Sequence, residues 1–150
     1  ERGADDCLVY PPGPLEKEDS KALARQFKGV CGEDGADVIY DAVGGGYADP
    51  ALRSIAWEGK YLVVGFPAGI PSIPLNLALL KGCQIVGVFW GAFCDREPDL
   101  NAQNLEELNA LYTARKVRPY VSANYPLVEG AKGIKALAER RALGKIVISI

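Results

Sequence analysis

The amino-acid sequence predicts an α/β fold built around a mainly parallel sheet. Its apolar runs are short and nearly continuous, as in "DVIYDAV", "YLVVGF" and "QIVGVFW", and strands buried on both faces read that way. The runs also recur at an even interval. Val38 and Leu62 stand 24 residues apart, and Leu62 and Ile85 23. That interval suits strand–crossover–strand units and is too long for hairpins. Between the runs lie segments whose apolar residues repeat at helical spacing.

Each element has its own signal. "CLVY" (Cys7–Tyr10) is the first expected strand, and "PPGPLEKEDS" a surface loop. Over Ser20–Val30, Leu23, Phe27 and Val30 make one apolar stripe, which predicts a helix. "DVIYDAV" (Asp37–Val43) is the next strand, followed by three glycines, Gly44–Gly46. Asp49-Pro50 reads as a helix start, with the carboxylate as N-cap and Pro at N1, where its missing N–H costs nothing. Leu52, Ile55 and Ala56 then face inward, and Gly59 supplies the stop. "YLVVGF" (Tyr61–Phe66) is a strand, and "PAGIPSIPLNLALLKG" a proline-rich loop leading into a short helix. "QIVGVFW" (Gln84–Trp90) is a further strand. Asn104–Val117 gathers Leu105, Leu108, Leu111 and Tyr112 on one side, with Asn104 as cap, Glu107 three residues on, and Arg115 and Lys116 suited to the last turn. "PYVSANYPLVE" reads as an exposed or edge strand because Pro and Asn interrupt it. Gly130–Leu143 offers Ile134, Leu137, Ala138 and Arg141 as a helical face and ends at Gly144. "KIVISI" (Lys145–Ile150) closes the chain as a strand.

Composition narrows the function. By length the 150 residues make one domain. A chain 49% hydrophobic and 24% charged, with net charge −2, is core-forming and gives no electrostatic reason for nucleic acid or an anionic membrane as partner. The most apolar loop, Ile70–Leu80, holds two prolines and is too short to span a bilayer. The charged start "ERGADD" is not what a signal peptide is expected to look like. The absence of Met predicts that it begins inside a longer gene product. There is no His, so His-based catalysis and His metal ligation are absent within it. Cys7, Cys31, Cys83 and Cys94 show no C-x-x-C spacing, so no zinc site is expected. Cys7 and Cys83 fall in apolar strand patterns and read as buried free thiols. The compartment reads as reducing, hence cytoplasmic.

Gly44–Gly46 directly follow an expected parallel strand. They either admit a flat ligand against the backbone or merely turn the chain toward the next helix. Neither G-x-G-x-x-G nor the phosphate-loop pattern occurs. Asp41 reads as a structural strand-end residue rather than an acid or base, and Glu106 and Glu107 as helix surface.

"GADVIYDAVGG", "ALRSIAWEGKYLVVGFPAGIPSIPLNLALLKG", "IVGVFWGAF" and "LGKIVISI" occur in this order. Together they resemble the C-terminal half of a zinc-independent, zeta-crystallin-like NADPH:quinone oxidoreductase of the medium-chain dehydrogenase/reductase superfamily. The likeness covers essentially the whole chain. It implies a partial Rossmann-type, doubly wound, mainly parallel sheet lacking its first two strands. Residues 1–118 would be the C-terminal part of the dinucleotide-binding domain. Residues 119–150 would be a returning segment packed with the N-terminal substrate domain.

The same resemblance implies NADPH (NADP) as cofactor, and hydride transfer to a quinone or activated alkene with no catalytic nucleophile or metal. By position, Tyr10 matches a place near the adenosine phosphate. Ala42, Val43 and Gly44 match the loop beside the ribose and pyrophosphate. Gly65, Phe66, Pro67 and Ala68 match the approach to the nicotinamide half, and Val88, Phe89 and Trp90 the strand end facing the carboxamide. Plainer readings stand beside these: Tyr10 as a strand-end cap, Phe66 and Phe89 as core aromatics, Trp90 at a subunit interface. The family's glycine loop for the pyrophosphate is not in the chain, so negligible activity is expected of the chain alone. The implied partners are a small-molecule quinone or enone and a second copy, forming a homodimer through the edge strand "QIVGVFW". A non-catalytic dimerisation module and an enoyl-reductase-type enzyme remain the alternatives. The flank of "DVIYDAV" is expected to be covered by "CLVY" or by a second copy.

Overall fold

A computed structural model describes residues 3–10, 12–139 and 141–150. The chain divides into two compact units, Glu1–Trp90 and Gly91–Ile150. The division suggested by the sequence, between residues 118 and 119, falls inside the second unit.

In the first unit, α1 (Lys17–Cys31) leads into β1 (Ala36–Asp41). A short 3-10 turn, Gly45–Tyr47, then opens α2 (Ala48–Arg53), which is followed by β2 (Ile55–Val63), α3 (Leu75–Lys81) and β3 (Gln84–Gly87). The strands form a parallel sheet in the order β1-β2-β3. Ala48, Leu52, Ile55, Tyr61 and Leu77 make the buried core, with Ile39, Ala51, Val63, Ile73 and Cys83 packed on it. This is the parallel α/β architecture that the even spacing of the apolar runs predicts, and it agrees with the Rossmann-type sheet that the resemblance implies.

Several local expectations are corrected. Cys7–Tyr10 forms no strand. Among the described residues β1 pairs with β2 alone, and a strand without a partner's backbone leaves its amides unpaired. The Cys7 N–H turns instead to Asp6 Oδ1 at 2.7 Å, and Cys7 is exposed rather than buried. Among the described residues no strand pairs on the free flank of β1, so "CLVY" does not cover it as a strand.

Asp49 is not an N-cap, because the 3-10 turn has already begun the helix. It sits in the first turn of α2, receiving Arg53 Nε at 2.8 Å and the Ser20 hydroxyl at 3.2 Å. The helix stops at Arg53, where the Ser54 hydroxyl donates to the Ala51 carbonyl at 2.7 Å. Ile55 and Ala56 are buried as predicted, but from a strand. Ala36 pairs with Ile55 while Val38 pairs with Lys60. The extra residues of β2 therefore bulge out around Glu58, at φ 59°, and Gly59, so Gly59 shapes a bulge and not a helix end.

The second unit holds α4 (Trp90–Arg96), whose first residue belongs to the first unit, then α5 (Pro98–Thr113), β4 (Val121–Pro126), α6 (Gly130–Ala138) and β5 (Lys145–Ser149). β4 and β5 pair in parallel. Pro98 at the start of α5 opens that helix earlier than Asn104 would, as its fixed φ favours. Leu105, Leu108, Leu111 and Tyr112 line up on α5 but are exposed. The predicted face of α6 is also turned: Ile134 and Leu137 are exposed, while Gly133 and Ala136 are buried. A Cβ on Gly133 would lie 3.1 Å from side-chain carbons of Ile146 and Ile148. Small residues thus let α6 lie close on its sheet, and the larger ones point away.

Candidate functional site

The register of the first sheet aligns the carboxyl ends of its strands. Asp41 stands opposite Val63, and Val63 opposite Gly87. The loops that follow therefore leave the sheet side by side. In open parallel α/β sheets this edge is where ligands bind.

Asp41 organises the first of these loops. Its Oδ1 accepts the N–H groups of Val43 at 2.9 Å and Gly44 at 2.8 Å. Its Oδ2 accepts the Tyr61 hydroxyl at 2.5 Å. Its main-chain carbonyl accepts the N–H groups of Val64 at 2.9 Å and Gly65 at 3.3 Å, which begin the second loop. Asp41 is 8% exposed and Tyr61 1%. Burial, then the hydrogen bond to Asp41, pushes the Tyr61 hydroxyl far above its ordinary pKa, so it stays a donor.

The two loops are also tied directly. The Ala68 N–H donates to the Val43 carbonyl at 2.9 Å, and the Gly45 N–H to the Gly69 carbonyl at 2.7 Å. This approach requires glycine. A Cβ on Gly44 would fall 2.8 Å from the Gly69 oxygen, and one on Gly45 2.5 Å from the Ala68 oxygen. The Val88 N–H donates to the Val63 carbonyl at 2.9 Å, carrying the ladder one step past β3 before Phe89 and Trp90 leave it.

The structure thus brings together Ala42, Val43, Gly44, Gly65, Phe66, Pro67, Ala68, Val88, Phe89 and Trp90 at one end of one sheet. Phe66, Phe89 and Trp90 are 45%, 79% and 66% exposed, so they are not core aromatics. The Val43 and Gly44 amides are taken by Asp41 and the Val43 carbonyl by the Ala68 N–H, which leaves the Val43 side chain and the Gly44 carbonyl as their contact groups. Tyr10 is linked to this edge through Tyr47. Its ring meets Tyr47 at 5.1 Å and Phe27 edge-on at 5.5 Å, and the Tyr47 hydroxyl bonds both the N–H and the carbonyl of Gly13. Burial, then the neighbouring Tyr47 and Asp41, raises the Tyr10 pKa. The sequence reading missed Tyr61. The available signal was a tyrosine starting an otherwise aliphatic buried strand, where its hydroxyl needs a partner.

A family model described as zinc-binding dehydrogenase matches residues 3–148. The chain belongs to the zinc-binding dehydrogenase family. It is 30% identical to the quinone oxidoreductase-like protein 2 of Bos taurus, over 99% of this chain and 40% of that protein. It is 37% identical to the homolog of that protein from Nematostella vectensis, over 77% of this chain and 32% of the relative. A solved probable oxidoreductase from Mycobacterium abscessus is 30% identical, with TM-score 0.71 over 99% of this chain and 41% of that one. A mycobacterial structure complexed with NADPH has TM-score 0.81 over 99% of this chain and 44% of that one, at 23% identity, and shares the fold. These names place the chain among oxidoreductases related to quinone oxidoreductases, the superfamily that its motifs resemble. The chain spans 32% to 41% of the length of the first curated relatives it matches.

The name of the zinc-binding dehydrogenase family implies a metal, and the residues described here do not fit one. Among them no three His, Cys, Asp or Glu side chains gather as a ligand set.

Proposed function

We propose that this chain is the cofactor-binding part of an NADPH-dependent oxidoreductase that passes hydride from nicotinamide to a quinone or an activated alkene. One observation carries the reading: the level register of Asp41, Val63 and Gly87, which sets three strand-end loops side by side. Residues 42–46, 65–69 and 88–90 contain no charged side chain. They suit an uncharged flat ring and a ribose, and leave the phosphates to be held elsewhere. Val43, Phe66 and Phe89 would flank that ring, with Gly44 and Gly65 keeping the backbone close. Trp90 and Val88 would help exclude water. The bound nicotinamide supplies the hydride, and the protein's part is orientation and desolvation. In this reading the chain alone holds only part of the cofactor site, and no turnover is expected of it in isolation.

The test is a fluorescence titration of the intact protein with NADPH and, separately, NADH. A quinone and an enone are then offered as alternative acceptors. Saturable NADPH binding with acceptor-dependent oxidation is the expected result. Absence of binding by either nucleotide overturns the proposal, and a clear preference for the enone turns it toward an enoyl reductase.

A second reading, compatible with the first, is self-association through β3. Among the described residues β3 pairs only with β2, and every residue of β3 is exposed. A dimer formed there would lose mass to the monomer value when Val86 becomes Lys, as measured by light scattering.

A further inference from the structure

We infer that Asp41 is a positioning residue for the candidate cofactor site: its carboxylate fixes the loop Ala42–Gly44, and the Tyr61 hydroxyl fixes that carboxylate. The inference deepens the function proposed above and rests on it. Three donors converge on the side chain, the amides of Val43 and Gly44 on Oδ1 and the Tyr61 hydroxyl on Oδ2. A group that only accepts hydrogen bonds meets all three at once. An asparagine of the same shape would keep the two amides on its Oδ1 and turn its NH2 toward the Tyr61 hydroxyl, which would have to reverse from donor to acceptor.

The geometry reaches beyond one loop. The carbonyl of Asp41 also holds the amides that start the second loop, Val64 and Gly65. The loop that its carboxylate shapes receives the Ala68 amide on Val43. A shift at Asp41 would therefore move Val43, Gly44, Gly65 and Ala68 together, four of the residues placed in the candidate site. Tyr61 lies in the core beside Leu52 and Ile55, so the carboxylate is anchored to a rigid element and not to another loop. Positioning groups need that kind of support.

The test uses the intact protein and NADPH itself as the probe. Affinity is measured for wild type, Asp41→Ala, Asp41→Asn and Tyr61→Phe, each well below its own unfolding midpoint. Loss of buried, charge-assisted hydrogen bonds predicts NADPH binding weaker by roughly tenfold in Asp41→Ala and about threefold in Tyr61→Phe, with Asp41→Asn between them. The quinone KM at saturating NADPH should stay within about twofold, because the acceptor does not touch these groups. A purely structural role lowers the midpoint and leaves NADPH affinity alone. Unchanged affinity in the folded variants therefore overturns the inference, whatever happens to stability. Should Asp41→Ala fail to fold, Tyr61→Phe decides, since it keeps the ring and removes only the hydroxyl. Hydrogen exchange should then show the Val43 and Gly44 amides losing protection while Ile39 and Leu62 keep theirs, and unchanged protection also counts against it. If wild type itself does not bind NADPH, the proposed function falls and this role with it. If wild type binds and the variants bind equally, only the positioning role falls.

Discussion

Replacing Gly44 by Ala tests whether the backbone and the neighbouring loop demand glycine at that place. Gly44 adopts φ 69° and ψ −147°, a backbone region essentially closed to other residues and costing them about 1–3 kcal/mol. The added Cβ would also lie 2.8 Å from the Gly69 carbonyl oxygen, 3.1 Å from Phe66 Cδ1 and 3.2 Å from Phe66 Cα. Two of those three atoms are backbone, so relief requires moving the Phe66–Gly69 loop, an overpacking cost of roughly 1–3 kcal/mol. Taken together, Gly44→Ala should destabilise the protein by roughly 3 kcal/mol. At about 2–4 °C per kcal/mol, the midpoint falls by roughly 6–12 °C. Gly46 is the internal control. A Cβ there meets nothing closer than the Leu15 nitrogen at 4.0 Å, and its backbone lies in the 3-10 turn. Gly46→Ala should therefore be neutral within about 0.5 kcal/mol or slightly stabilising. The assay is scanning calorimetry of the two variants beside wild type. Midpoints for Gly44→Ala and Gly46→Ala within about 1 °C of each other would refute the claim that Gly44, unlike Gly46, is held to glycine by its backbone and its loop contact.

Other perturbations follow from the same geometry. Leu52 is 0% exposed at the centre of the core, so Leu52→Ala should cost about 2–5 kcal/mol by denaturant titration. Arg53 pairs with Asp49 at 2.8 Å, but its side chain is 42% exposed, so Arg53→Ala should cost less than about 1 kcal/mol in the same titration. Tyr61 has its pKa raised above the model-compound value of 10.0, which sets the sign of an alkaline effect. Below pH ~10 the folded and unfolded states both hold the proton and the contribution is whole. Above it the unfolded state loses the proton first, so stability falls as pH rises, by up to about 1.4 kcal/mol per pH unit. Tyr61→Phe should flatten that alkaline limb of the stability profile, and an unchanged slope would count against the buried hydroxyl as its source.

Much of this architecture was legible because its causes are local. Val- and Ile-rich runs at even spacing favour parallel strands with crossovers, and β1 and β3 lie on "DVIYDAV" and the start of "QIVGVFW", while β2 shares only Tyr61–Val63 with "YLVVGF" and begins earlier, at Ile55. The gathering of the strand-end loops was legible for the same reason, since residues just past parallel strands collect at one edge, whereas their assignment to a cofactor came from the resemblance. Readings that needed a partner fared differently. "CLVY" has strand composition but does not pair with the free edge of β1, and the apolar stripe of α5 remains exposed. Asp49 and Gly59 carried the right chemistry for a cap and a stop. The 3-10 turn before α2 and the bulge in β2 displaced both, because each depends on how the chain enters and leaves its neighbours.

The sequence by itself determined the α/β class and the parallel pairing of its strands. Periodicity and backbone preference act over a few residues and are written directly in the chain. Only the tertiary structure decided which two of the three glycines touch the neighbouring loop, and that small residues of α6 face its sheet. It also decided that Asp41, 20 residues from Tyr61, spends its carboxylate on two amides and that hydroxyl. Those outcomes depend on strand register, which places residues distant in sequence within hydrogen-bond reach and has no local signature.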